Sequence, residues 1–304
     1  MFPNGPGLTD RVNLRPALRR NRRAIPLVLL APVLPPRKLP PRPVFVIGCP
    51  RSGTSVLFSL LRANPALASI GQEGHVLWES FHHPREHGWR SNALGPGDVR
   101  SFERRYLAWA IGVLARPRGG RFLDKTPRNS LRLPYLDALF PDARYVFVQR
   151  DGRATVSSLV VAWREREHPA YVLPVPFTIP GIPERHWHFS LPPGWRAFDG
   201  RPLEDVCAHQ YTTATEAILG FRAGLPAGGF ADVRYEDLLA DPAAQMQEVH
   251  QALDVPFTDA EARRARQEVR APSGPEKWRT ATPGEIERVM PAIAPMLERT
   301  EYPA

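Results

Sequence analysis

Cysteine is scarce in this 304-residue sequence, with Cys49 and Cys207 the whole complement. Two thiols cannot build a disulfide framework or a four-ligand zinc site, so a reducing, cytoplasmic setting is the simpler expectation. Long apolar runs are missing too. The run from Ala24 to Leu34 has eleven residues with Pro26 and Pro32 inside it, too short and broken to span a bilayer and poorly shaped for a signal peptide. His82, His83 and His87 lie in one loop without matching Cys or Asp partners, which argues against a metal site. The domain itself lacks an excess of either charge. Of the net +9, residues 1–42 carry +8 through Arg11, Arg15, Arg19, Arg20, Arg22, Arg23, Arg37, Lys38 and Arg42 against Asp10. About +1 is left for the remainder, which excludes the electrostatic footprint expected of a nucleic-acid partner.

What is present begins after that basic, proline-rich tail. With 43% apolar residues, the chain can bury one sizeable core, expected as a single α/β domain over 43–304. The tail itself reads as a flexible leader packed loosely on this domain. A membrane-surface contact through it is the minor expectation, because one basic, apolar segment anchors weakly.

The stretch PVFVIGCPRSGTSVLFSLLRA, residues 43–63, holds the strongest local signal. Val44 to Ile47 form a continuous apolar run suited to a parallel strand covered on both faces. From Thr54 the period changes, and Val56, Leu57, Leu60 and Leu61 recur at helical spacing. Between them lie Cys49-Pro50-Arg51-Ser52-Gly53-Thr54-Ser55. A helix start offers unpaired N–H groups and partial positive charge, so glycine, hydroxyls and a guanidinium there make a site for a dianion. Gly48 and Gly53 are spaced as in a nucleotide triphosphatase loop, but Thr54 stands where the lysine belongs. Arg51 therefore suits one terminal phosphate, or a group attached to it, better than a triphosphate. On the loop alone, a plain glycine turn stays open.

Residues 144–165, RYVFVQRDGRATVSSLVVAWRE, repeat the strand, turn and helix plan. Val146, Phe147 and Val148 form the strand, Val156, Leu159, Val160 and Trp163 the helix stripe, and Arg150 and Ser158 are eight apart. Loops leaving parallel strands converge on one crevice, so Glu73 in Gly71-Gln72-Glu73-Gly74-His75 would face whatever Arg51 binds. Lys125 at the end of Arg121-Phe122-Leu123-Asp124-Lys125 is either a surface charge or a cation aimed there. Further helices are expected over Val99 to Leu114, Ser130 to Phe140, Leu203 to Phe221 and Pro283 to Glu298, with a strand over Ala231 to Tyr235. The stretch His168 to Asp205 is proline-rich and aromatic with little periodicity. It is expected to be an inserted binding loop, with Phe177, His186, Trp187, His188, Phe189 and Trp195 around an acceptor pocket. Ser273 to Arg279 forms a basic, aromatic loop placed to close over adenine or phosphate.

Taken together, these segments resemble the PAPS-dependent sulfotransferases, where PAPS is 3′-phosphoadenosine 5′-phosphosulfate. Cys49 to Ser55 resembles that family's 5′-phosphosulfate loop, and Val148-Gln149-Arg150-Asp151-Gly152-Arg153-Ala154-Thr155-Val156-Ser157-Ser158 its 3′-phosphate motif. Asp124-Lys125-Thr126-Pro127, Tyr235-Glu236-Asp237-Leu238 and Glu276-Lys277-Trp278 follow in the family's order. The loop arginine and the run RDGRATVSS are most similar to the carbohydrate and tyrosylprotein branch. The histidine base of the cytosolic aryl and steroid enzymes is replaced by Pro127.

The resemblance implies an α/β fold, a P-loop-containing parallel sheet flanked by helices. It also implies transfer of a sulfuryl group from PAPS to an acceptor hydroxyl, with PAP released and no metal required. Its implied cofactor residues are Arg51, Ser52, Gly53, Thr54, Ser55, Arg150, Ser158, Tyr235, Lys277 and Trp278. Its implied catalytic residues are Arg51, Lys125 and, as base, Glu73, with His75 or His186 as the alternative base. The competing readings are a P-loop kinase or triphosphatase and a catalytically idle PAP-binding protein. The acceptor stays open among sugar, tyrosine, lipid and small natural product.

Overall fold

The computed structural model describes residues 22–225, 228–269 and 276–303. In chain order, α1 (Ala24–Leu29) precedes β1 (Val44–Ile47), the phosphate loop and α2 (Thr54–Leu61). Next come β2 (Leu67–Ala68), α3 (His75–Trp78), α4 (Glu103–Leu114), β3 (Arg121–Lys125) and α5 (Leu133–Leu139). The second strand-and-helix unit is β4 (Arg144–Gln149) with α6 (Gly152–Glu165), followed by a small hairpin of β5 (Tyr171–Val172) and β6 (His186–Trp187). The remainder comprises α7 (Leu203–Arg222), β7 (Phe230–Arg234), α8 (Tyr235–Ala240), α9 (Pro242–Leu253), α10 (Asp259–Glu268), α11 (Trp278–Ala281) and α12 (Pro283–Arg299).

Five strands form one parallel sheet in the order β2-β3-β1-β4-β7. Side chains alternate across it, as a strand's period of two requires. Val44, Val46, Val146 and Val148 pack on one face with Leu57, Leu61, Met246 and Val249. Phe45, Ile47, Tyr145 and Phe147 pack on the other with Trp78, Tyr106 and Leu136. Both faces are covered, so the all-apolar β1 is explained by burial on two sides. β1 and β4 run side by side with Val46 opposite Val146 and Ile47 opposite Phe147. The loops leaving their carboxyl ends are therefore neighbours, and from here the chain goes to β3 and β2 on one side and to β7 on the other. That is the switch point of a doubly wound sheet.

Several local expectations are revised. Helix α4 starts at Glu103, not Val99, because Pro96–Asp98 makes a 3-10 turn and the Glu103 carboxylate turns back to accept the Arg100 N–H. The region expected as one helix from Ser130 divides into a 3-10 turn, Pro127–Leu131, and α5. The aromatic insertion does not line a pocket as a group. Phe177, Trp187, His188 and Trp195 are buried, and the three larger rings fill a core cluster with Trp163 and helices α7 and α12. Nor is the described part of the leader loose. Ala24 and Ala31 are fully buried, Trp109 on α4 donates to the Pro35 carbonyl, and the Arg37 guanidinium lies over the Trp109 ring. Residues 1–21 and 273–275, which belong to the tail and the basic aromatic loop, lie outside the described residues. Among the described residues no helix is long and apolar enough to cross a membrane.

Candidate active site

The loop after β1 is held from beneath. The Gly48 N–H donates to Ser130 Oγ at 3.0 Å, and that hydroxyl donates back to the Gly48 carbonyl. A Cβ on Gly48 would lie 2.8 Å from the Val148 carbonyl, so the two phosphate motifs approach backbone to backbone only because this residue has none. Arg51 takes φ = 75°, a left-handed conformation that costs a non-glycine residue about 1–3 kcal/mol and is met chiefly at functional sites. Gly53 also has positive φ, 103°, and its missing Cβ makes room for the Tyr235 ring. The start of α2 leaves the N–H groups of Gly53, Thr54 and Ser55 without intrahelical acceptors, and these three residues line the cleft. Ser52 departs from expectation. Its N–H closes a turn to the Cys49 carbonyl and its side chain is buried beside Gly48, so it supports the loop from behind.

Arg150 and Ser158 reach the same place from β4 and α6. Arg51 Nε donates to Ser158 Oγ at 3.1 Å, and Arg150 Nη1 donates to the Arg51 carbonyl at 3.0 Å. The Arg150 guanidinium lies 4.9 Å over the Tyr235 ring. Arg51, Thr54, Ser55, Arg150, Ser158 and Tyr235 thus line one cavity of about 310 Å³. Asp151 caps α6 by accepting the Arg153 N–H, while its own N–H donates to Glu236. Lys277 and Trp278 are not among the residues lining this cavity. Lys277 is exposed, and Trp278 meets the site indirectly, with the Arg153 guanidinium 5.2 Å over its ring.

Beyond Ser55 the cleft continues into a second space of about 780 Å³. Its wall carries Glu73 and Lys125, joined at 2.8 Å, and Lys125 Nζ also donates to Ser55 Oγ at 3.1 Å. The other Glu73 oxygen meets His75 Nε2 at 2.9 Å. Burial raises the Glu73 carboxyl, but His75 and Lys125 together outweigh it and hold it well below the usual carboxylate range. Gly74 positions this turn by donating to Thr126 Oγ1 at 2.7 Å. Thr126, Trp78 and Asn129 in turn converge on the buried Asp124 carboxylate. Asp124 and Lys125, adjacent on β3, therefore do different work: the acid anchors the core and the cation faces the cleft. His186, on β6, lines neither space.

Arg128 and Arg166 were not singled out by motif reading, yet both line the two spaces where they join, along with Ser55, Glu73 and His75. The signal for Arg128 was its position one residue past Asp124-Lys125-Thr126-Pro127. Of the aromatics expected around an acceptor, Phe189 alone lines the cleft, beneath the Arg166 guanidinium at 4.4 Å.

The sequence model of the sulfotransferase family matches residues 43–173 and 185–259. The chain belongs to that family. The break in the match, 174–184, falls between β5 and β6, so this sulfotransferase departs from the family pattern at the tip of its hairpin. It is 26% identical over 284 residues to protein-tyrosine sulfotransferase A of Caenorhabditis elegans, covering 85% of this chain and 67% of that one. It is likewise 26% identical over 287 residues to a protein-tyrosine sulfotransferase of Drosophila melanogaster, covering 85% of this chain and 51% of the fly protein. The chain thus spans about half to two thirds of the length of these relatives. Among solved structures, sulfotransferase STF9 of Mycobacterium avium shares the fold, with a TM-score of 0.56 at 17% identity over 97% of this chain and 83% of that one.

Proposed function

We propose that this sulfotransferase takes its sulfuryl group from PAPS and passes it to an acceptor hydroxyl, releasing PAP. The observation that carries the reading is that two anion cradles, built on adjacent parallel strands, open into one cavity. Arg51 with the N–H groups of Gly53 to Ser55 suits the 5′-phosphosulfate, and Arg150 with Ser158 suits the 3′-phosphate. A triphosphate and magnesium find less here, since Thr54 replaces the loop lysine.

The transfer asks the protein mainly to position reactants and to stabilise charge. The acceptor oxygen forms a bond to sulfur as the sulfur–oxygen bond to the 5′-phosphate breaks, and the electron pair of that bond stays on the phosphate. Arg51 and the start of α2 stabilise the charge that builds there. Glu73, at the junction of the donor and acceptor spaces, takes the acceptor's proton. In the free protein its carboxylate is a weak base because His75 and Lys125 are both bound to it. Lys125 also holds Ser55 Oγ, so its ammonium stands between Glu73 and the loop that would carry the departing oxygen, placed to offset charge there. His75 remains as the partner that keeps the carboxylate aimed.

Calorimetry tests the donor: PAP is expected to bind, and ATP with magnesium to bind far more weakly. The reverse order would assign the chain to phosphoryl chemistry. Incubation with labelled PAPS and a cell extract is then expected to yield a product heavier by about 80 Da, one SO₃ unit. Glu73→Gln should leave PAP affinity within about twofold while turnover collapses by about 10²-fold or more. Equal loss of both would make Glu73 a structural residue.

A further inference from the structure

At the junction of the two spaces, and in the wall of the second, lies a buried ionic cluster that the transfer scheme does not use. Glu79, 4% exposed, accepts from Arg128 Nη1 with both oxygens at 2.9 and 2.8 Å, from Arg132 Nη2 at 2.8 Å and from the Tyr171 hydroxyl at 3.0 Å. The Arg132 side chain is fully buried, and its Nε is tied to the Asn92 carbonyl. Asn92 Nδ2 donates to the Tyr171 hydroxyl at 2.7 Å, and the Arg128 guanidinium lies 4.5 Å over the Tyr171 ring. Burial raises the Glu79 carboxyl, yet Arg128 and Arg132 overcome it and keep the group ionised.

Two guanidiniums share this one carboxylate, with His75 Nδ1 at 3.8 Å as a further neighbour. The cluster therefore carries an excess of one positive charge. An uncovered charge in a water-poor setting is costly, and it is relieved when an anion covers it. Arg132 is sealed in, so the excess reaches the cleft through Arg128, whose bonds to Glu79 use Nη1 alone. Its remaining nitrogens are not among the buried groups lacking partners. Arg128 is thus a cation of fixed geometry, locked by an ion pair and an aromatic ring, and it borders the donor cavity at the end that opens to the acceptor.

Resting on the PAPS reading above, we propose that Arg128, held by Glu79, binds the sulfuryl oxygens of the donor as they pass from one space to the other. PAPS and PAP differ by that sulfuryl group alone. A residue that grips it must therefore change the ratio of the two affinities, whereas a residue that shapes the fold or the general field of the cleft changes both together. Lys125 grips the acid and the hydroxyl beside it, while Arg128 supplies a second donor where the two spaces join. A preorganised cation of this kind needs no rearrangement as charge shifts during transfer.

The test is calorimetric titration of the full chain with PAP and with PAPS, in the wild type, Arg128→Gln, Arg128→Lys and Glu79→Gln. The wild type's binding of PAP tests the donor reading by itself; if it binds neither ligand, that reading falls and this proposal with it. If PAP binds, the expected result is that Arg128→Gln lowers the PAPS-to-PAP affinity ratio about tenfold while PAP affinity changes little, as for loss of a charge-assisted hydrogen bond. Arg128→Lys should recover part of the ratio, and Glu79→Gln should lower it by loosening Arg128. Should Arg128→Gln fail to fold, Arg128→Lys still decides, since its ratio must fall short of the wild type's. A ratio unchanged in the folded Arg128 variants overturns the proposal. So does a rise in acceptor KM with the ratio intact, which would assign Arg128 to an anionic group of the acceptor.

Discussion

At the scale of the residue, the chemistry of this cleft depends on positions where ordinary side chains are excluded. Gly53 combines positive φ with a Tyr235 ring lying where its Cβ would be. Gly53→Ala should therefore cost about 1–2 kcal/mol for the left-handed backbone alone and tilt Tyr235 and the free N–H groups. Chemical denaturation will show the stability loss, and calorimetry should show PAP affinity reduced by about tenfold or more. Arg51→Ala removes a preorganised donor, and turnover should fall about 10²- to 10³-fold with little change in melting temperature. Asp124 offers a pH signature. Burial pushes its carboxyl up to about 7, with the Thr126 and Trp78 hydrogen bonds opposing. Because the folded form holds the proton more tightly than the unfolded, this group's contribution is most favourable at acid pH. It declines as pH rises from about 4 to about 7, by at most about 1.4 kcal/mol per pH unit. Asp124→Asn should remove that slope from a series of denaturation curves.

Helices and strands set what reading the sequence was able to reach. That Arg51, Ser55, Arg150 and Ser158 share one cavity was legible because each motif is local: Arg51 and Ser55 lie four positions apart, Arg150 and Ser158 eight, and the strand-to-helix change around each is a change of hydrophobic period. The other half is assembled from α2, the Glu73 turn, the segment after β3 and the chain entering the hairpin. No spacing announces that Arg128 and Arg166 meet there. The insertion misled for a related reason. Its density of aromatic residues is equally suited to a pocket or to a core, and burial against α6, α7 and α12 made it core. Lys277 and Trp278 followed the family's order in the sequence, yet Lys277, just before α11, is exposed, and Trp278, its first residue, lies under Arg153 of α6. Helix α6 also supplies a prediction at this scale. Asp151→Ala deletes its N-cap and the clasp on Arg153, so unfolding free energy should drop by about 0.5–2 kcal/mol. PAP affinity should weaken as well, because the same turn carries Arg150.

For the molecule as a whole, cleft and leader are separate features. None of the residues lining the donor or acceptor spaces comes from the described part of the tail, 22–42. That segment covers α4 on the face of the sheet formed by Phe45, Ile47, Tyr145 and Phe147, through Ala24, Ala31 and the Trp109 contacts. Deleting residues 1–42 should uncover Trp109, shift tryptophan emission to longer wavelength and lower the melting temperature, by about 2–4 °C for each kcal/mol lost. PAP affinity should be unaffected; a parallel loss would connect the leader to the cleft.

The pairing of β1 with β4 also has a metric meaning. The separation of the two loops that leave these strands is fixed by a ladder of main-chain hydrogen bonds a strand's width apart, so the sheet acts as a caliper that side-chain motion cannot reset. On the proposed PAPS reading, a nucleotide lacking the ribose phosphate, or bearing it on the neighbouring hydroxyl, would touch one jaw and miss the other.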